Sequence, residues 1–379
     1  MKHTKGELKQ MQSLPLRSKI IMTKQRIQAW YESWKRYEIV NEKTNKSRFV
    51  TALEEPTLKE GEYIIGEEAG QVYVSFSGGK DSTVLFHLAR ELYPDIEAVF
   101  VNTGLEYPEI QKFVKTFDNV TILRPKMRFD EVIKTYGYPM ISKAVSNCVR
   151  GARRGSKSRI NLLNGKDCDG SDRRSKFSKL KWKPLVDLNE IDFSEQCCDV
   201  MKKAPAHEFQ KQTGKKPILA TMAEESMLRE NGWRQNGCNA FTSKIPQSTP
   251  MAFWTEQDVL QYIKENNLSI ASVYGSIEYA ENPDQMRIEE FGLECGREKL
   301  ITTGCDRTGC IFCGFGCHLE KESRFQRLKE THPRQYAYCI GGGEYNSDGV
   351  WKPNKEGLGL GHVFDELNKI YGDDFIKYK

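Results

Sequence analysis

The stretch Val72 to Leu92, VYVSFSGGKDSTVLFHLAREL, constrains the fold of this chain more than any other. Val72, Tyr73, Val74 and Phe76 have strand character. They run into Ser77-Gly78-Gly79-Lys80-Asp81-Ser82, after which Val84, Leu85, Leu88 and Leu92 recur at helical spacing. The pattern predicts a strand, a glycine turn and a helix. Such a junction aims backbone N–H groups and the positive end of a helix at one point, a geometry that binds phosphate. Gly78 and Gly79 leave the backbone open to an anion, Lys80 adds a cation, and Ser77 and Ser82 add hydroxyl donors. Asp81 does not bind phosphate itself; its use is a magnesium ion that bridges phosphate oxygens. A plain glycine turn between a buried strand and a helix is the structural alternative.

The residue after Lys80 is Asp81 rather than Ser or Thr, and no glycine stands at position 74, so this is not the phosphate loop of kinases and GTPases. The segment resembles the SGGxDS loop of the PP-loop superfamily, the adenine-nucleotide alpha hydrolases. That resemblance implies a pyrophosphate cradle and chemistry at the alpha phosphate, with Lys80 and Asp81 as catalytic residues.

Beyond the loop, Ile96 to Val101 reads as a second buried strand, followed by a helix (109–117), a short strand (121–123) and another helix (129–135). Alternating strands and helices predict an α/β fold with a doubly wound, mostly parallel, Rossmann-like sheet and a helical, cysteine-rich C-terminal part. Ligands of such sheets sit beyond the carboxyl ends of the strands, which puts Ser77–Ser82 and the run from Asn102 to Glu106 on one rim. Asn102-Thr103-Gly104 with Glu106 and Pro108 is similar to the second nucleotide motif of the phosphoadenosine phosphosulfate (PAPS) reductase family. Glu225 and Ser226 with Arg229, after a strand at 216–222, resemble that family's segment over the sulfonucleotide, although Met222 and Ala223 stand where basic residues are usual. Thr255, with Asp258 three residues on, looks like the start of the family's next helix and is a good N-cap. The resemblance covers roughly residues 72–320.

Three regions follow: an N-terminal helix (14–36) and polar, irregular extension over 1–70, a nucleotide domain over 71–260, and the cysteine-rich, helical region 261–379. No run of apolar residues is long enough to span a membrane and the first ten residues lack an apolar core, so the expected location is the cytoplasm. Net charge is only +5, yet residues 143–183 hold thirteen Lys and Arg against three Asp. This insert, with Arg150, Arg153, Arg154, Lys157 and Arg159 among glycines and serines, suits a polyanion such as tRNA or DNA; a lid over one nucleotide and a solvated loop are the alternatives.

Eleven cysteines in a cytosolic chain point to metal or redox chemistry rather than disulfides. Two ligand sets are open. Cys305, Cys310, Cys313 and Cys317 could close locally around zinc, whereas Cys197, Cys198, Cys310 and Cys313 form a distributed set. Cys197-Cys198 followed by Gly309-Cys310-Ile311-Phe312-Cys313 resembles the [4Fe–4S] pattern of the adenylylsulfate (APS) reductase branch, and Lys202 lies close enough in sequence to offset the charge of four thiolates. Sulfonucleotide reductases of this family attack sulfur with a C-terminal cysteine in a Glu-Cys-Gly-(Ile/Leu)-His context. Here Cys339 has a different context, and Glu294-Cys295-Gly296 lies upstream of Cys310 without the histidine. The resemblance therefore implies two activities. One is ATP-dependent thiolation of a nucleic acid, which needs a sulfur donor. The other is reduction of APS or PAPS to sulfite with a thioredoxin-type reductant. A nucleotide-binding module without catalysis is the third alternative.

Overall fold

A computed structural model describes residues 1–171, 179–280 and 299–379. The chain divides into two compact units that interleave along the sequence. The first is built from residues 1–101, 107–123 and 206–308, the second from 102–106, 124–205 and 309–379.

The first unit is centred on a six-stranded sheet in the order Val120–Leu123, Ala98–Val101, Val72–Ser75, Lys216–Leu219, Gln247–Ser248, Asn239–Ala240. Every neighbouring pair is parallel except the last. Val72, Val74, Ala98 and Ile218 are at most 2% exposed, the continuous apolar character expected of strands covered on both faces. From Val72–Ser75 the chain winds outward to Ala98–Val101 and Val120–Leu123, and later returns on the other side at Lys216–Leu219. The strand order thus reverses at Val72–Ser75, and the crevice beyond its carboxyl end is where doubly wound sheets bind ligands.

The predicted N-terminal helix forms over Leu16–Ser33, with Leu16, Ile27 and Trp30 on its buried face and Ile21 and Ala29 outside it. Residues 37–70, expected to be irregular, instead belong largely to an antiparallel sheet of Lys46–Ala52, Lys35–Asn41 and Glu62–Glu68. Its middle strand buries Tyr37 and Ile39, while the flanking strands stay mostly exposed. Such one-sided burial leaves a polar composition that hides strand character.

In the second unit the basic insert is ordered where described, as helices Lys143–Arg153 and Lys157–Leu163. Ser142 caps the first by accepting from the Val145 N–H, and Cys148, Ala152, Leu162 and Leu163 pack together between the two. Helices Arg324–Thr331, Pro333–Ile340 and Leu360–Tyr371 follow toward the C-terminus. Among the described residues no helix is long and apolar enough to cross a membrane.

Candidate functional site

The SGGKDS turn lies at the carboxyl end of Val72–Ser75 in the first unit, and the helix Lys80–Leu92 begins directly behind it. Gly78 has φ +71°, and a Cβ there would stand 2.7 Å from Val114 Cγ2 and 2.8 Å from Ile110 Cγ2. Both conformation and space demand glycine. Gly78→Ala should therefore destabilise the protein by about 2 kcal/mol or more, read by chemical denaturation, since a left-handed non-glycine residue alone costs about 1–2 kcal/mol. A cost below 0.5 kcal/mol would mean that the turn relaxes freely.

Ser77 and Ser82 brace the turn. Their hydroxyls are 3.0 Å apart, Ser82 Oγ also donates to the Gly79 carbonyl, and the Gly79 N–H donates to Ser77 Oγ. The Lys80 N–H donates to Tyr274 Oη at 3.1 Å, and that hydroxyl lies 2.6 Å from Thr308 Oγ1. Lys80, only 3% exposed, donates from Nζ to the Asp306 carbonyl at 2.8 Å and pairs with Glu256 at 3.1 Å. Asp81 Oδ1 is buried without a hydrogen-bond partner, and burial raises its carboxyl above the usual range despite Lys80 at 3.9 Å. A buried carboxylate oxygen left without a donor fits a hard divalent cation such as magnesium.

Glu225, Ser226 and Arg229 are brought to this same unit. Ser226 caps the helix Met227–Asn236 by accepting from the Arg229 N–H, and Glu225 pairs with Arg229 and, at 3.8 Å, with Arg307. Thr255 and Asp258 form the expected capping box, and Asp258 also receives a 2.6 Å bond from the buried Lys19. Tyr274, Arg307 and Thr308 carry no motif of their own. The one cue to Arg307 and Thr308 is that Thr303-Gly304-Cys305-Asp306-Arg307-Thr308-Gly309 runs straight into Cys310, and Tyr274 has none.

The second unit holds Asn102 to Glu106 together with the distributed cysteines. Glu106 closes its own loop by accepting from the Thr103 N–H at 3.0 Å and from its hydroxyl at 2.8 Å, and Asn102 Oδ1 accepts from the Gly104 N–H. Cys197, Cys198, Cys310 and Cys313 line one small apolar cavity with Lys202. Adjacent cysteines diverge on an extended chain, but Cys198 has helical dihedrals at the head of a π-helical turn, Asp199–Lys203, and both thiols reach the cavity.

No three of these four sulfurs lie within 4.8 Å of one another; among the described residues only Glu190, His362 and Glu366 make so tight a group. A tetrahedral zinc site with Zn–S of about 2.3 Å needs sulfurs about 3.8 Å apart. Among the described residues the four thiols therefore share a cavity without standing in the arrangement of a closed tetrahedral zinc site. In the local alternative set, Cys317 spends its S–H on the Gly314 carbonyl at 3.2 Å and Cys305 is buried in the first unit.

The cysteine cavity is electrostatically uneven. Cys198 is pulled down to about 5, first by the Cys197 S–H that bonds to it and then by Lys143 and Lys202, while burial pushes Cys310 up to about 11. Burial opposes the charge on Lys202, but Cys310 and Glu106, the latter 3.8 Å away, hold it above its ordinary value.

The phosphoadenosine phosphosulfate reductase domain matches residues 71–150 and 157–314. The chain belongs to the PAPS reductase family. The family match is consistent with the mixed α/β, mostly parallel sheet described above. Two uncharacterised proteins of Methanocaldococcus jannaschii are 40% and 42% identical over 73 residues, or 18% of this chain in each case. That match spans 18% and 15% of their own lengths. A solved PAPS reductase of Candida auris, in a phosphate complex, is 14% identical, with a TM-score of 0.30 over 60% of this chain and 81% of that one.

Two of the five residues read as nucleic-acid contacts are committed inside this family member. Arg150 bonds Glu195 at 2.5 Å, and Arg153 donates to the carbonyls of Val186, Ile191, Leu185 and Leu188. Their role is to tie the helix Lys143–Arg153 to the segment 185–195, because burying a guanidinium requires that its donors be satisfied. Arg154 and Lys157 are exposed and Arg159 is half-buried. Arg153→Ala should cost about 3 kcal/mol in denaturant unfolding, since it orphans several buried carbonyls at once. An unchanged midpoint would return Arg153 to the list of free cations.

Proposed function

We propose that this chain catalyses ATP-dependent sulfur transfer, with an adenine nucleotide held at Ser77–Ser82 and an iron–sulfur cluster held by Cys197, Cys198, Cys310 and Cys313. The observation that carries the nucleotide part is Asp81. It is a carboxylate placed at the mouth of a phosphate-binding turn, with one oxygen buried and without a hydrogen-bond partner. Such an oxygen costs stability until a cation takes it.

An acceptor oxygen attacks the alpha phosphorus of ATP, the bond to pyrophosphate breaks, and the acceptor is adenylated. Lys80 and the N–H groups of the turn stabilise charge on the phosphates, and Ser77 and Ser82 fix the geometry of the turn. Asp81 would hold a magnesium ion, which would supply charge neutralisation to the departing pyrophosphate. A sulfide-level donor then attacks the adenylated carbon and AMP leaves with the bonding electrons, so no net oxidation occurs. A cluster held by Cys197, Cys198, Cys310 and Cys313 would supply a soft, redox-capable site for sulfur, with Lys202 offsetting the charge of the thiolates. Acceptors in this proposal are tRNA or DNA bases, supported by exposed Arg154 and Lys157.

Reduction of APS or PAPS is the second reading, favoured by the family match itself. It needs an attacking thiolate. Cys317 and Cys339 are both buried, with burial raising each thiol, Cys317 to about 12. Cys295 lies outside the described residues. The deciding experiment supplies anaerobic protein either with ATP, magnesium, sulfide and tRNA or DNA, or with APS or PAPS and thioredoxin. AMP and pyrophosphate with a thiolated nucleic acid are the expected products. Sulfite release, abolished by Cys295→Ser, would replace the proposal by the reductase.

A further inference from the structure

Glu190, His362 and Glu366 offer an imidazole nitrogen and two carboxylate oxygens within 4.8 Å of one another. All three belong to the second unit and are half-buried. His362 and Glu366 stand four residues apart on the helix Leu360–Tyr371 and so share one face, one turn apart, while Glu190 reaches them from the segment 185–195. Donors of a four-coordinate zinc with bonds of about 2.0–2.2 Å stand about 3.4 Å apart, so small rotations of the two carboxylates bring all three donors onto one ion. An imidazole beside carboxylates suits a divalent cation of the zinc class better than magnesium or calcium, which take oxygen ligands.

The surroundings hold the imidazole in place. Tyr345 and Trp351 face each other across the short antiparallel pair Glu344–Tyr345 and Trp351–Lys352. Tyr345 Oη lies 3.1 Å from His362 Nε2, and the Trp351 ring packs with its centroid 4.2 Å from that of the imidazole. The Trp351 N–H donates to the Glu190 carbonyl at 2.7 Å, which ties the same pair of strands to the third donor. Ligating histidines are oriented in this way, by a hydrogen bond to the ring and by packing around it. The local field is also negative: Glu366, at 2.5 Å, and then Asp365 and Glu190 raise the Lys369 ammonium above its ordinary value. Lys369 is exposed and holds Oε1 of Glu366, which leaves the second oxygen for an ion.

We propose that Glu190, His362 and Glu366 bind one divalent cation of the zinc class, at a site separate from the cysteine cavity. None of the three lines that cavity, and His362 and Glu366 lie beyond the residues matched by the family domain. The site goes beyond the sulfur-transfer reading and does not depend on it. Three protein donors leave a fourth position to water. The bound ion cross-links the helix Leu360–Tyr371 to the segment 185–195, whose carbonyls already receive Arg153 and which runs on into Cys197 and Cys198. It thereby braces the stretch of chain that leads to half of the cysteine centre.

The test dialyses the full chain, purified anaerobically, against Zn²⁺ and counts zinc and iron in every sample. The parent protein should take up one zinc per chain that Glu190→Gln and His362→Ala do not, with the iron content the same in all three. Tyr345→Phe should weaken zinc binding by about tenfold, the scale of removing a group that orients a ligating histidine. Thermal midpoints give a second readout: zinc should raise that of the parent and leave those of the two ligand variants where they stand in chelator. Glu190→Gln keeps the shape of the side chain, so it decides the question even if His362→Ala unfolds. No zinc uptake by the parent, or equal uptake by parent and Glu190→Gln, overturns the site. ATP cleavage is assayed on the same samples. Its absence would remove the proposed function and leave this metal site standing.

Discussion

Asp81→Asn and Asp81→Ala should lower ATP cleavage to AMP and pyrophosphate by on the order of a hundredfold or more, the scale of removing a metal ligand that stabilises a leaving group. Stability should move the other way or not at all. Burial raises the Asp81 carboxyl above its unfolded value, so the folded state binds a proton more tightly than the unfolded chain. The resulting contribution disfavours folding as pH rises above the unfolded pKa, and at neutral pH the ionised group costs stability. An uncharged replacement removes that cost, so the thermal midpoint at pH 7 should stay level or rise. Magnesium with ATP should raise the midpoint of the parent protein and not that of the variants. Retained turnover would take Asp81 out of the chemistry, and a fall in both activity and midpoint would make it a structural residue. Sites that trade stability for function in this way are common where chemistry needs an unsatisfied group.

Cys310→Ser and Cys198→Ser should each remove the iron and sulfide expected of anaerobically purified protein, together with its visible absorption. Both variants should also unfold at lower denaturant, because the free energy of binding a metal centre is part of the free energy of folding. Cys317→Ser should keep the iron, since Cys317 bonds a backbone carbonyl and does not line the cysteine cavity. In the metal-free protein, Cys198 is expected to react with iodoacetamide at pH 7 well ahead of Cys310. The Cys197 S–H, Lys143 and Lys202 lower the Cys198 thiol while burial pushes Cys310 up to about 11, so Cys198 carries the larger thiolate fraction at that pH. Peptide mapping of the alkylated protein reads this directly. One zinc per chain with no colour would replace the cluster by zinc, and iron retained in Cys310→Ser would remove Cys310 as a ligand.

The sequence alone determined the strand, glycine turn and helix at Val72–Leu92, because each piece is local. The apolar strand, the left-handed glycine and the helical stripe are written in consecutive residues, and the parallel sheet follows from the alternation of such units. A family pattern in the sequence offered Cys197, Cys198, Cys310 and Cys313 beside a local alternative set, and the structure brings those four to one cavity.

Tertiary structure decided the rest. Arg150 and Arg153 are indistinguishable in the sequence from the free cations beside them. Only the arrival of Glu195 and four backbone carbonyls, from 32 to 45 residues away, makes them internal braces. The sheet at 35–68 lies in a polar stretch of sequence because its two flanking strands stay mostly exposed. Tyr274 and Asp306 reach Lys80 across 194 and 226 residues of chain, a proximity no periodicity encodes. The meeting of Cys197 and Cys198 with Cys310 and Cys313 in one cavity depends on a helical turn at Cys198. Local propensity fixes elements, whereas a site is fixed by which elements meet, and that is set by packing of the whole core.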